Sequence, residues 1–168
     1  MKILSRFVFF ASALFIFTLI SASAQRVKVP ADLEITLQRT MCFGTCPDYT
    51  LTIKANRRVT FKGGQFTRVK GTASGRITRS SLRELVRAFD QADLTSFADD
   101  YSPSGGVCEG YMTDVPSEII SIRRNGKTKR VNHYFGCMGT AVNEKLKPLV
   151  ALGKTIDRVT NSKRWVVK

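Results

Sequence analysis

Leu33, Ile35 and Leu37 alternate with Glu34, Thr36 and Gln38, the period of two that marks a half-buried strand. Tyr49, Leu51 and Ile53 alternate with Thr50, Thr52 and Lys54 and predict a second strand. After a turn at Ala55-Asn56-Arg57, Val59 and Phe61 predict a third, closed by Gly63-Gly64. Residues 66–73 predict another strand, interrupted by Gly71. Near Thr78 the period changes. Leu82, Leu85, Val86 and Phe89 stand at i, i+3, i+4 and i+7, one stripe of a helix that fades by Asp93. Thr78, Ser80 and Ser81 offer N-caps, and Ser81 with Glu84 fits a capping box. Arg79, Arg83 and Arg87 mark another face. Leu94 and Phe97 tuck beneath the following turn.

Residues 102–116 form a long loop with Pro103, Gly105, Gly106 and Gly110. Loops of that length in compact domains are functional or tied down, and Cys108 lies in this one. Two strand-like runs, 117–124 and 127–134, flank Asn125-Gly126, the strongest short-range hairpin signal. A two-residue register sets Arg124 against Lys127, Ile120 against Val131 and Glu118 against His133. After a short loop at 135–139, Leu146, Leu149, Leu152, Ile156 and Val159 predict a second helix. Pro148 implies either a kink or a main helix that starts with it. Residues 163–167 read as a short edge strand or an extended tail. The expected architecture is a single α+β domain, an antiparallel sheet with two helices packed on one face.

The beginning of the chain departs from this pattern. Lys2 and Arg6 precede an apolar run from Phe7 to Ile20, and Ala22-Ser23-Ala24 follows. That is the layout of a secretory signal peptide cleaved after Ala24. Residues 1–24 are therefore assigned to the signal and residues 25–168 to one exported domain with its core at about 32–167; the run is short for a bilayer span. Cleavage would remove two cations and no acid, so the formal charge of +14 becomes +12.

All four cysteines, Cys42, Cys46, Cys108 and Cys137, follow the signal. An even number in an exported chain reads as two disulfides, with three connectivities open. The C-x3-C spacing allows a local Cys42–Cys46 bridge, which would leave Cys108 with Cys137. In the chain-entropy account these bridges contribute about 2 and about 3.6 kcal/mol respectively.

The stretch Arg39-x-x-Cys42-Phe43-Gly44-x-Cys46-Pro47-x-Tyr49 resembles the hallmark of a family of exported bacterial domains of unknown function. Asp114-Val115-Pro116 before the hairpin and Arg164-Trp165 near the end fall in the order that family shows. The resemblance implies fold and export, and no activity. It also implies that Cys108 and Cys137, outside the family's core pattern, pair with each other.

Catalytic chemistry finds little support in these residues. Redox dithiols use C-x-x-C at a helix N-terminus, whereas Cys42 and Cys46 are spaced C-x3-C between strands, so a structural staple is preferred. A thiol-dependent redox protein using Cys42 and Cys46 stands as an alternative. His133, the lone histidine, lies four residues before Cys137 and faces Glu118. Cys108, Cys137, His133 and Asp114 could supply a zinc set, but oxidation on export opposes it. Asp114, expected in extended backbone, could cap a turn or pair with Arg39, making Arg39, Asp114 and His133 a candidate polar site. Neither a phosphate loop nor a G-x-S-x-G elbow is present, and no catalytic residue, metal or cofactor is assigned.

Charge supplies the remaining signal. Arg123, Arg124, Lys127, Lys129 and Arg130 crowd the Asn-Gly hairpin and form a candidate anion-binding surface. Outside the cytoplasm the available polyanions are envelope polymers and lipid head groups. Sequence-specific nucleic-acid binding has no motif behind it. The expectation is a disulfide-stabilised, non-enzymatic exported domain whose basic hairpin binds an anionic envelope component. The alternative is an inhibitor or partner-binding module built on the tethered 102–116 loop.

Overall fold

The computed structural model describes residues 27–167; the expected signal segment lies outside them. A seven-stranded sheet organises the chain. Its strands, in chain order, are β1 (Glu34–Arg39), β2 (Tyr49–Lys54), β3 (Arg58–Gly63), β4 (Gly71–Arg76), the two-residue β5 (Asp100–Tyr101), and the long hairpin β7 (Ser117–Arg124) and β8 (Lys127–Tyr134). Between β5 and β7, the short β6 (Gly110–Tyr111) pairs instead with β9 (Cys137–Met138). The sheet order is β4-β3-β2-β1-β7-β8-β5, antiparallel except where β5 meets β8. Two main helices, α1 (Arg79–Ala92) and α2 (Thr140–Thr160), join it, and a last turn of helix, α3 (Lys163–Val166), ends the described chain.

Period-two patterning sends one side of each long strand inward. Ile35, Leu37, Leu51, Ile53, Val59, Phe61, Ile120 and Val131 are fully buried, with Leu85 and Phe89 of α1 and Leu146, Leu149 and Ile156 of α2 in the same core. The opposite side is polar: Thr60, Thr52, Thr36 and Ser121 are cross-strand neighbours, and none of them is buried. This is the one-sided antiparallel sheet that the alternation implies. The hairpin register places Arg124 opposite Lys127, Ile120 opposite Val131 and Glu118 opposite His133. Asn125 and Gly126 both take positive φ (53° and 72°), as a two-residue turn of this type requires.

Four details differ from the sequence expectation. Residues 66–70 are not a strand; Phe66 takes φ +55°, and Arg68 and Val69 donate to the carbonyls of Val166 and Trp165. Gly71 (φ +73°) opens β4 instead of interrupting a strand. The end of the chain is helical because Asn161, at φ +51°, closes α2 and turns the backbone back. Trp165 then stacks on Phe61 at 5.2 Å, with the Arg164 guanidinium over its ring. Finally, α2 runs through Pro148, whose exposed position lets water serve the carbonyl that its missing N–H leaves free. The α1 cap is Thr78, whose hydroxyl accepts from the Ser81 N–H, while Glu84 pairs with Arg158 of α2.

Candidate functional site

The strand registers align one polar row across the sheet. Tyr49 of β2 faces Arg39 of β1, Arg39 faces Glu118 of β7, Glu118 faces His133 of β8, and His133 faces Tyr101 of β5. All five occupy inward positions, one row beyond the last apolar layer, Leu51-Leu37-Ile120-Val131. α2 covers this row. A Cβ on its Gly153 would lie 2.1 Å from Glu118 Oε2, so only glycine lets the helix approach.

Arg39 is the hub. Its Nε and Nη2 donate to Asp157 Oδ2 of α2 at 3.2 and 2.9 Å, and Nε also donates to the Tyr49 hydroxyl at 3.0 Å. Tyr49 in turn donates to Asp157 Oδ1 at 2.8 Å, as does Ser162 at 2.6 Å. Arg39 Nη1 lies 2.7 Å from Glu118 Oε2, close enough for an ion pair but not aligned as a hydrogen bond. Both Glu118 oxygens therefore lack a directed donor among the described residues, although the side chain is only 1% exposed. His133 Nδ1 is likewise buried and without a partner.

These contacts set the ionisation of the row. Burial opposes the Arg39 charge, but Glu118, Tyr49 and Asp157 outweigh it and raise its pKa. Burial, reinforced by Asp157, raises the Tyr49 hydroxyl well above its usual range. Burial pushes the Glu118 carboxyl up to about 7 even with Arg39 beside it, and pulls the His133 imidazole down to about 4. His133 is therefore neutral at pH 7. No hydrogen bond joins it to Glu118 among the described residues, so the pair is not arranged for proton relay. The row locks β1, β2, β7 and α2 together through one guanidinium.

The candidate polar trio is divided by this arrangement. Arg39 and His133 belong to the row; Asp114 does not. It is exposed, sits at φ +66° instead of in extended backbone, and its carboxylate accepts from Thr113. Proline restrains only the residue directly before it, here Val115. The acidic partners of Arg39 are Glu118 and Asp157. Sequence reasoning missed the ligating roles of Tyr49, Glu118, Asp157 and Ser162. Tyr49 and Glu118 did carry a signal, being polar groups at inward strand positions; Asp157 carried none.

The cysteines form two bridges, Cys42–Cys46 and Cys108–Cys137. At the hairpin, Arg124 pairs with Asp90, Lys129 with Asp99, and Arg123 with Glu34. The turn N–H groups of Asn125 and Gly126 donate to the two oxygens of Asp32, and these bonds lower its pKa. An internal carboxylate thus occupies the nest that could have received an external anion, and Lys127 and Arg130 are the hairpin cations without an acid partner among the described residues.

The two bridges meet at one end of the sheet. The end of β1, the start of β7 and the end of β8 are neighbours there, and the loops leaving them are bonded together. Phe43 N–H donates to Asp114 O, Met112 N–H to Gly136 O, and Glu109 N–H to Met138 O. Met41, Phe43, Tyr111, Met112, Phe135 and Met138 are all exposed on these loops, Phe43 at 89%.

The family model described as a domain of unknown function, DUF6438, matches residues 33–158. The chain belongs to the DUF6438 family. The match runs from the residue before β1 to near the end of α2, so it contains the polar row and both bridges of this DUF6438 domain. No curated protein matches the chain.

Proposed function

We propose that this DUF6438 domain is an exported, non-catalytic binding module that docks a protein partner on its disulfide-braced end. The observation that carries the reading is that six exposed apolar side chains lie on the three bonded loops there. Exposed apolar groups on rigid, cross-linked loops lose little entropy on binding, and such patches mark interaction sites. Methionine and aromatic side chains suit that role. Two disulfides fit an oxidising compartment. The test is affinity capture from envelope extract with wild type and with Phe43→Glu, Met112→Glu. Stoichiometric capture by wild type that the double variant loses supports the reading. Equal capture by both, or no partner for either, refutes it. Both positions are exposed, so the variant keeps the fold.

A second reading is electrostatic attachment to an anionic envelope component. It is favoured by the outward sheet face, where Lys54, Arg58, Lys62, Arg76 and Arg130 are exposed. Retention on lipopolysaccharide or anionic vesicles should be strongest at low salt. Absence of binding at low salt removes this reading.

A further inference from the structure

The N-terminal two-thirds of α2, from Asn143 to Lys154, and the end of β8 leave a cleft of about 320 Å3. Its lining includes His133, Phe135, Leu146, Val150, Lys147 and Lys154. His133 is 5% exposed, and its Nδ1 meets no partner among the described residues. The Phe135 ring packs against the imidazole at 4.6 Å. Leu146 and Val150 add apolar walls. Lys154 has no acid partner among the described residues, and Lys147 has only Glu144, one turn away, with both side chains largely exposed. Such a pair is weak and exchanges readily. Among the described residues no acidic side chain lines the cleft. Glu118, the buried carboxylate opposite His133, feels the Lys154 charge but makes its close ion pair with Arg39.

An aromatic-and-aliphatic interior, a buried unpartnered imidazole and two available ammonium groups complement one chemical class. We propose that this cleft binds a small organic monocarboxylate, its apolar body against Phe135, Leu146 and Val150 and its carboxylate between Lys147 and Lys154. The volume lies at the low end of ligand-binding pockets, which sets the size at that of benzoate or hexanoate. The site is independent of the docking loops, apart from Phe135 at their border.

The lone histidine makes the test direct, because one imidazole resonance reports on the cleft. Benzoate and hexanoate are titrated into the full domain, following the His133 ring protons by NMR, with benzamide as the uncharged control. A saturable shift is expected for the carboxylates, with benzamide weaker by roughly fivefold or more, the effect of two exposed ion pairs. Lys147→Ala, Lys154→Ala should weaken benzoate by a similar factor, each protein's shift being read from its own ligand-free His133 resonance because Lys154 lines the same cleft. No saturable shift up to ~20 mM overturns the proposal, since that corresponds to negligible affinity. Equal binding of benzamide and benzoate, or of benzoate to the double variant, overturns it too, by removing the carboxylate from the recognition.

Discussion

Glu118 and His133 sit side by side in the row and oppose each other in pH dependence. Glu118 has its carboxyl raised from an ordinary 4.5 to about 7 by burial. The folded state therefore binds a proton that the unfolded state releases between those values. Stability from this group is complete below pH 4.5 and is lost as pH rises through 7. His133 has its imidazole lowered from 6.5 to about 4, also by burial. Its contribution is complete above pH 6.5 and is lost as pH falls through 4. At ~1.4 kcal/mol per pH unit each displacement is worth roughly 3 kcal/mol. The two slopes have opposite sign and nearly cancel between pH 4.5 and 6.5. Single variants should unmask them. Denaturant unfolding from pH 4 to 8 is measured for wild type, Glu118→Gln and His133→Leu, and each variant is expressed as a difference from wild type so that other titrating groups drop out. The stability of Glu118→Gln relative to wild type should climb by roughly 3 kcal/mol from pH 4.5 to 7. That of His133→Leu should fall by a similar amount from pH 4 to 6.5. Arg39, whose pKa its neighbours raise, stays charged across this range and adds an offset instead of a slope. Two flat difference curves, or two of the same sign, would refute the assignment of both groups to a desolvated row.

Gly153→Ala gains about 1 kcal/mol of helix propensity but drives a methyl into Glu118, so a net loss of about 1–3 kcal/mol is expected in urea unfolding. In a Glu118→Ala background the same change should become stabilising; if it stays destabilising, the contact is not the cause. Replacing Cys108 and Cys137 by alanine should cost about 3.6 kcal/mol, against about 2 for Cys42 and Cys46, and an inverted order would contradict the loop-length account. Asp32→Ala should speed amide hydrogen exchange at Asn125 and Gly126 several-fold while the central strand amides keep their protection, since it removes the two acceptors at the turn. Unchanged exchange at the turn would mean that those bonds are not formed in solution.

Local rules made much of the fold legible. Alternation identified β1, β2, β3, β7 and β8 and their buried sides, because side chains on a strand switch face at every residue. Asn125-Gly126 fixed the hairpin register, so that Glu118 opposite His133 follows from counting outward from the turn. The Leu82–Phe89 stripe identified α1 in the same way. Two errors fell where conformation depends on remote partners: residues 66–70 bend to meet the backbone of Trp165 and Val166, and the last residues coil to set Trp165 on Phe61.

The candidate site divides along the same line. The chain alone specified that Arg39, Tyr49, Glu118 and His133 take inward positions, because strand parity is a property of neighbours in sequence. It could not specify that β1 lies between β2 and β7, which is what makes those four consecutive across the sheet. Nor could it show that Asp157, more than a hundred residues from Arg39, would supply the second carboxylate, or that Asp32 would occupy the hairpin nest. Electrostatic pairing acts through space, over a few ångströms, and depends on which surfaces the packed core brings together. Periodicity carries the local half of that information; the order of the strands and the seating of α2 carry the rest.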